Sequence, residues 1–194
     1  MYEKIKNDIA QEYYVKNYPN DGQRFVAWYL RNIHNLDTFE AKACITDGAG
    51  DKQIDAVYID DQSSTIYIIQ GKFYKGDTVD AEPLREVTSS WIQIKNLAKL
   101  QEAANEKLQA KISEIATALE DDYKVCFELI TTSGLTDSAK SDLAAFQTEL
   151  AESETLSANL VLVDNETLQA RYDEALNRNR PYINYEFSIE QGKY

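Results

Sequence analysis

Apolar and polar residues alternate along two neighbouring stretches of the chain, and this period of two predicts an antiparallel β-hairpin. The stretches cover residues 54–59 and 65–73 and are rich in β-branched and aromatic side chains. The polar segment 60–64 between them is typical of a turn. If the turn occupies residues 61–64, Asp55 lies directly opposite Gln70.

The predicted hairpin has one face that changes from apolar to polar at its end. Val57, Ile59, Ile66 and Ile68 share this face with Asp55, Gln70 and Lys72, whereas Ile54, Ala56, Tyr58, Tyr67, Ile69 and Phe73 share the other. Buried polar groups require partners, so packing alone does not explain this change. The pattern predicts a small polar site at the end of the sheet.

These polar groups suit a divalent cation. The Asp55 carboxylate, the Gln70 amide oxygen and the Gly71 carbonyl oxygen are ligands for a hard ion such as Mg²⁺, with Mn²⁺ as an alternative. Lys72 beside them could offset negative charge on a phosphate under attack, or orient or deprotonate the attacking water.

Asp55 followed by Gln70-Gly71-Lys72 on the next strand resembles the D…(E/Q)xK signature of the PD-(D/E)XK nuclease superfamily, in the Gln-containing form of Mrr-type restriction endonucleases. The longer string that includes Asp47-Gly48-Ala49-Gly50-Asp51 is similar to the N-terminal nuclease-like domain of abortive-infection phage-resistance proteins. This resemblance implies an Mg²⁺-dependent endonuclease that acts on DNA in phage defence or restriction. It also allows a homodimer, since many relatives cut two strands as dimers.

The remaining periodicities predict an α/β fold in which strands and helices alternate, with helices on both sides of a mixed sheet. Together with the resemblance, they imply a restriction-endonuclease-like three-layer α/β/α architecture in the order α-α-β-β-β-α-β-α-β-α. We expect one domain over residues 1–194, or the N-terminal part of a longer protein. Predicted helices cover residues 3–16, 21–33, 81–119 with a break near Asn105, 137–152 and 165–177, and further strands cover 38–45, 123–131, 160–163 and 182–189.

A second group of residues is assigned to the site less directly. In the superfamily, the helix before the sheet often carries an acid that faces the metal, and Gln23 or Asp21 is nearest to that position. Asp51 could assist the metal or only cap its turn, and the turn role is favoured. Asp47 lies in the same loop. The resemblance assigns the start of the 81–119 helical region to the roof of the site, with Glu82, Glu86 and Gln93 as candidates.

The composition opposes strong DNA binding, because the formal net charge is -13 and DNA affinity comes largely from Lys and Arg. We therefore expect this domain to bind DNA weakly by itself. A local basic cleft near the motif is still compatible with the sequence, with contributions from Arg24, Arg31, Lys52, Lys72, Lys75, Arg85 and Lys95.

Other chemistries have little support in the sequence. The single histidine, His34, is interpreted as a helix-terminal residue, and Cys44 and Cys126 as reduced structural thiols. The chain has no apolar run long enough for a membrane span and no secretory segment, so we expect a cytoplasmic protein without a membrane partner.

Two alternatives to the nuclease hypothesis remain at this stage. Gln70 and Gln23 stand where acidic ligands are usual, which would weaken metal binding and favour a catalytically silent binding or assembly module. In the other alternative, Asp55, Gln70 and Lys72 are only solvated residues at a strand end.

Overall fold

The computed structural model describes residues 1–179 of the chain as an α/β fold. The helices are α1 (Tyr2–Ile9), α2 (Glu12–Asn17), α3 (Asp21–Asn32), α4 (Thr38–Cys44), α5 (Glu82–Ile94), α6 (Leu97–Ala103), α7 (Glu106–Glu120), α8 (Asp137–Ala151) and α9 (Asn165–Asn179). The strands are β1 (Ala56–Asp60), β2 (Thr65–Lys72), β3 (Thr78–Val79), β4 (Lys124–Thr131), β5 (Gly134–Leu135) and β6 (Ala158–Val163). The predicted strand at 182–189 lies outside the described residues.

The main sheet is mixed and has four strands in the order β1-β2-β4-β6. β1 and β2 form the antiparallel hairpin, and β2, β4 and β6 run parallel to one another. The parallel pairs follow from the long helical connections between these strands. β3 and β5 form a separate two-stranded parallel sheet that the sequence did not predict.

Helices cover both faces of the main sheet. On one face, α5, α7 and α8 pack over residues such as Val57, Ile68 and Phe127. On the other, α1, α3, α4 and α9 contribute to a core with Ala56 and Ile69. The three layers expected for an α/β fold with a largely parallel sheet are therefore present.

The hairpin register was predicted correctly. Asp60 pairs with Thr65 and Ala56 pairs with Ile69, so the next residue outward, Asp55, lies at the level of Gln70. The assignment of Ile54 to the second face was wrong, because Ile54 packs in the same core as Val57. It precedes the first regular strand residue, so the strand alternation does not extend to it.

The predicted strand at 38–45 is wrong: this segment is helix α4. Asp37 accepts hydrogen bonds from the backbone N–H groups of Phe39 and Glu40, and Glu40 accepts one from the N–H of Asp37. This capping box starts a helix whose buried residues, Ala41 and Cys44, are three apart. Phe39, an apolar residue of the predicted strand, is 84% exposed.

Two predicted helical regions are divided further. Residues 3–16 form α1 and α2, which meet at Ala10 and Gln11. The region 81–119 contains α5, α6 and α7; the break near Asn105 is confirmed, and a second break occurs at Asn96. Both asparagines accept a hydrogen bond from an N–H in the first turn of the next helix.

None of the helices in the described part of the chain is both long enough and apolar enough to cross a membrane.

Candidate metal centre

The site predicted at the end of the hairpin is assembled around Asp55. Its Oδ2 accepts hydrogen bonds from the Gln70 amide at 3.0 Å and from the Gly71 backbone N–H at 2.8 Å. These contacts bring together the acid and the two neighbouring residues that the sequence analysis assigned to the site. They fix the carboxylate at the end of β2.

Two further carboxylates join Asp55. One carboxylate oxygen from each of Asp47, Asp51 and Asp55 lies within 4.8 Å of the others, and all three residues are partly buried. Sequence analysis placed Asp47 and Asp51 in the second group of candidates, and the structure places them beside Asp55. The turn role of Asp51 is also confirmed, because it accepts hydrogen bonds from the N–H groups of Gly48 and Gln53.

The loop between Asp47 and Asp55 has a conformation that the local sequence does not favour. Lys52 and Gln53 have φ angles of +56° and +65°, in the left-handed region that residues with a Cβ rarely adopt. Helix α5 stabilises both: Gln93 donates to the carbonyl of Lys52 and Ser90 donates to that of Gln53. Strain of this kind often marks functional sites.

Asn105 fixes the same loop from the other end. Its backbone N–H donates to the Gly50 carbonyl, and its side-chain amide donates to the Thr46 carbonyl at 2.9 Å. Its amide oxygen also caps α7 by accepting from the N–H of Leu108. Sequence reasoning identified Asn105 only as a helix break. An asparagine at a helix start was the one available signal.

Burial and mutual repulsion disfavour negative charge in this cluster when no cation is bound. Burial raises the pKa of Asp55 to about 7, and the charges of Asp47 and Asp51 act in the same direction against the Gly71 N–H and Lys72. Burial also raises the pKa of Asp47, and Asp51 adds to that shift. The positive charge of a divalent cation would offset both the burial and the repulsion.

The Gln70 side chain provides an independent indication that the cluster fits a cation. Gln70 is only 6% exposed, its Nε2 is used by Asp55, and its Oε1 is buried without a hydrogen-bond partner among the described residues. An unsatisfied buried carbonyl oxygen is costly, whereas coordination to a metal would satisfy it.

The Gly71 carbonyl faces the same side of β2 as Asp55. The carbonyl of Lys72 accepts from Thr132 at the end of β4, and successive carbonyls of a strand point in opposite directions. The Gly71 carbonyl therefore points towards β1. The oxygen ligands predicted from sequence, together with Asp47 and Asp51, form a donor set suited to Mg²⁺ or Mn²⁺.

Lys72 lies next to this cluster but is paired with another residue. Its Nζ is 3.0 Å from Oε1 and 2.7 Å from Oε2 of Glu86 on α5. Burial lowers the pKa of Lys72, but the hydrogen bond and charge of Glu86 outweigh it, so the pKa is raised overall. The amine stays protonated, which disfavours the predicted role in deprotonating water.

The remaining candidates divide into residues at the site and residues away from it. Gln23 is buried on α3, and its side-chain amide makes a long hydrogen bond of 3.5 Å to the Asp47 carbonyl. Glu86 contacts Lys72, and Gln93 supports the loop. Glu82 makes no hydrogen bond to the cluster within the described residues, and Asp21 pairs with Arg24 at the start of α3.

The predicted basic cleft is only partly present. Arg24 is paired with Asp21, and the guanidinium of Arg31 lies over the rings of Tyr13 and Tyr14. A different groove, of about 380 Å³, adjoins Gln23 and is lined by three lysines that the sequence analysis did not select. These are Lys42, Lys107 and Lys111.

Comparison of the chain with protein-family models, with curated proteins and with solved structures gave no match.

Proposed function

We propose that this chain is a divalent-metal-dependent nuclease that hydrolyses phosphodiester bonds in DNA. The observation that carries the proposal is the convergence of Asp47, Asp51 and Asp55 within 4.8 Å of one another. Beside them lie a protonated lysine and the Gln70 side-chain oxygen, which has no hydrogen-bond partner among residues 1–179. Carboxylates, a neutral oxygen and an ammonium group in one place suit a cation and a phosphate together.

In this proposal, Asp47, Asp51, Asp55, Gln70 Oε1 and the Gly71 carbonyl would hold Mg²⁺ or Mn²⁺. The bound ion would polarise the scissile phosphate and lower the pKa of a water ligand. Gln23 would keep the Asp47 segment in place, while Gln93, Ser90 and Asn105 would hold the loop in its strained conformation.

Lys72 would act through its positive charge. The Glu86 pairing keeps the amine protonated and limits its motion. A fixed ammonium next to the metal cluster would stabilise the negative charge that develops on the phosphate. When a phosphate approaches, Lys72 would exchange part of its contact with Glu86 for the phosphate oxygens.

The lysine groove beside Gln23 supports a nucleic-acid substrate. Lys107 is close enough to Asp47 to lower the pKa of that carboxyl, in opposition to its burial, so groove and cluster are adjacent. Lys42 continues the positive charge along the same groove, whereas Lys111 is ion-paired with Glu114, which also lines it. A DNA backbone in this groove would reach the metal cluster, although the net charge of -13 predicts weak binding.

The same geometry supports the proposed PD-(D/E)XK assignment and hence a restriction-endonuclease-like fold. A β-hairpin carries the acid and the QxK segment, with a helix on either side. The resemblance to abortive-infection proteins extends the proposal to phage defence or restriction.

A catalytically silent nuclease fold is the second candidate. The neutral ligand Gln70 in place of an acid and the close Lys72–Glu86 ion pair favour it. A silent module would bind a cation without cleaving DNA, or would neither bind a cation nor cleave DNA.

Cleavage assays test the nuclease proposal and its residue assignment. Supercoiled plasmid, linear duplex, single-stranded DNA and RNA are incubated with Mg²⁺ or Mn²⁺ and wild-type protein, Asp55→Ala or Lys72→Ala. We expect cleavage of DNA, and a loss of about 100-fold or more in each variant, as when one charge-stabilising group is removed from an active site.

The matched controls are Asp61→Ala and Lys140→Ala, an acid and a base outside the cluster, which should cleave like the wild type. Circular dichroism verifies that each variant is folded. Equal cleavage by wild type, Asp55→Ala and Lys72→Ala would show that a contaminant or another site is responsible. Thermal stabilisation by Mn²⁺ that depends on Asp55, without cleavage of any substrate, would favour the silent module.

A further inference from the structure

One face of β4 is unusually polar for a strand in the middle of a sheet. Lys124, Cys126 and Glu128 alternate along it, on the side of the sheet that packs against α3 and α9. On β6, Asn159 pairs with Cys126 and adds another polar side chain. Central strands covered by helices are normally apolar on both faces, so this face is suited to a polar ligand.

The polar face forms the floor of a cavity. Among the described residues, a space of about 400 Å³ lies over Thr65, Tyr67, Cys126 and Asn159, with Arg171 of α9 among its wall residues. It is located where the parallel strands begin, whereas Gln70 and Lys72 lie where β2 ends. The cavity is therefore distinct from the candidate metal centre.

A compensated charge network forms the inner wall. Glu128 is 2% exposed and is bound by Arg171 at 2.7 Å, His34 at 2.8 Å and the Tyr29 hydroxyl at 3.0 Å. Burial would raise the pKa of Glu128, but its partners His34 and Arg171 lower it overall, so it remains ionised. This network joins α3, β4 and α9 and needs no ligand to be stable.

The positive charge at the entrance is not compensated in the same way. Lys124 and Arg178 both line the cavity and are exposed. Neither forms an ion pair with a carboxylate among residues 1–179. Glu174 is the one other acid that lines the cavity besides Glu128 within the described chain. Local positive charge is unexpected on a protein with a net charge of -13.

We propose that this cavity binds a small phosphate-bearing molecule of mononucleotide size. The phosphate would contact Lys124 and Arg178, since ammonium and guanidinium groups are the usual phosphate-binding side chains. The cavity volume of about 400 Å³ lies within the range of roughly 300–1,000 Å³ that is typical of small-molecule sites. Tyr67, whose ring also packs against Tyr58 and His34, lines the cavity and would contact the base, and the Asn159 amide can donate and accept hydrogen bonds.

Calorimetric titration of the full chain tests this proposal. The probes are AMP, GMP, CMP and UMP, with adenosine and inorganic phosphate as partial ligands, in buffer that contains EDTA. We expect at least one mononucleotide to bind with one-to-one stoichiometry. Adenosine and phosphate should each bind at least about tenfold more weakly, since one lost charge-assisted contact costs about that factor.

Charge reversal locates the site. Lys124→Glu with Arg178→Glu should weaken mononucleotide binding by about tenfold or more, and both side chains are exposed, so the core is undisturbed. The matched control is Lys99→Glu with Lys140→Glu, which changes the net charge equally away from the cavity and should bind normally.

Tyr67→Leu should weaken mononucleotide binding more than phosphate binding.

Any of four results would overturn the proposal. The first is no binding of any mononucleotide by the folded wild-type chain. The second is unchanged affinity in the Lys124→Glu, Arg178→Glu variant, which would place the ligand elsewhere. The third is loss of binding in Asp55→Asn, which would show that the nucleotide occupies the candidate metal centre. Equal affinity for phosphate and AMP would also refute a site for the whole mononucleotide.

Discussion

Asp55 is the residue at which stability and the proposed chemistry oppose each other. Its carboxylate lies beside Asp47 and Asp51 and is largely shielded from water. The negative charge of Asp55 is unfavourable in this environment unless a cation is bound. The charges of Asp47 and Asp51 both raise the pKa of Asp55, and the charge of Asp51 also raises the pKa of Asp47. These charges should lower the free energy of unfolding of the metal-free protein. This loss of stability can be measured, and it would indicate that the cluster is suited to bind a cation.

The first prediction concerns the pH dependence of stability without metal. The pKa of Asp55 is about 7 in the folded protein and 3.8 in the ordinary carboxyl, so the folded state binds more protons between these values. The free energy of unfolding should therefore fall as pH rises from about 4 to 7, by at most about 4 kcal/mol. Asp55→Asn should flatten this decline and be more stable than wild type above pH 7.

Urea denaturation in EDTA at a series of pH values measures this effect. An identical slope in wild type and Asp55→Asn would mean that Asp55 is not the group responsible. Adding Mn²⁺ to wild type should restore stability at high pH and leave Asp55→Asn much less affected.

At the scale of elements, the position of α3 over β2 depends on a residue without a side chain. A Cβ on Gly71 would lie 2.6 Å from Cγ2 of Val26 on α3, closer than packed atoms allow. Gly71 is also next to Asp55, and Gln23 on α3 contacts the Asp47 segment. The close contact of helix and strand thus sets the distance between two parts of the site.

Gly71→Ala should therefore destabilise the protein by about 1–3 kcal/mol through overpacking. Val26→Ala in the same chain should recover part of that loss, because it removes the methyl group that clashes. Urea denaturation measures both. Gly76→Ala is the matched control, since its nearest neighbour is the Thr78 carbonyl at 3.7 Å, and it should change stability by less than about 0.5 kcal/mol. Additive effects of Gly71→Ala and Val26→Ala would contradict the proposed contact.

For the whole molecule, the site depends on segments that are distant in sequence. The acidic loop, the end of β2, α3, α5 and the α6–α7 junction each supply a contact, and Asn105 joins two of them. Because its amide both caps α7 and holds the Thr46 carbonyl, helix packing and loop geometry are linked. Cation affinity should therefore respond to a residue that carries no charge and binds no metal.

Asn105→Ser tests this link. Serine retains the cap of α7 but loses the hydrogen bond to Thr46, so we expect a loss of about 1 kcal/mol in stability and weaker thermal stabilisation by Mn²⁺. The matched control is Asn96→Ser, since Asn96 caps α6 in the same way and makes no hydrogen bond to the loop within residues 1–179. If both variants respond equally to Mn²⁺, Asn105 acts only as a helix cap.

Much of the sheet follows from local sequence patterns. The alternation of residue types and the polar turn fixed the hairpin register, and with it the position of Asp55 opposite Gln70. The apolar run at 123–131 and the helices after it gave the parallel strands. The strand predicted at 38–45 was wrong because the capping box of Asp37 and Glu40 starts helix α4 there.

The sequence by itself determined which residues share a strand face, because side-chain alternation and turn chemistry are local properties. Only the tertiary structure decided that Asp47 and Asp51 join Asp55, that Glu86 pairs with Lys72, and that Glu128 anchors a second polar region. The first depends on contacts of the loop with Ser90, Gln93 and Asn105, and the other two connect residues that lie 14 or more positions apart along the chain. Their formation depends on how helices pack on the sheet, which no short stretch of sequence specifies.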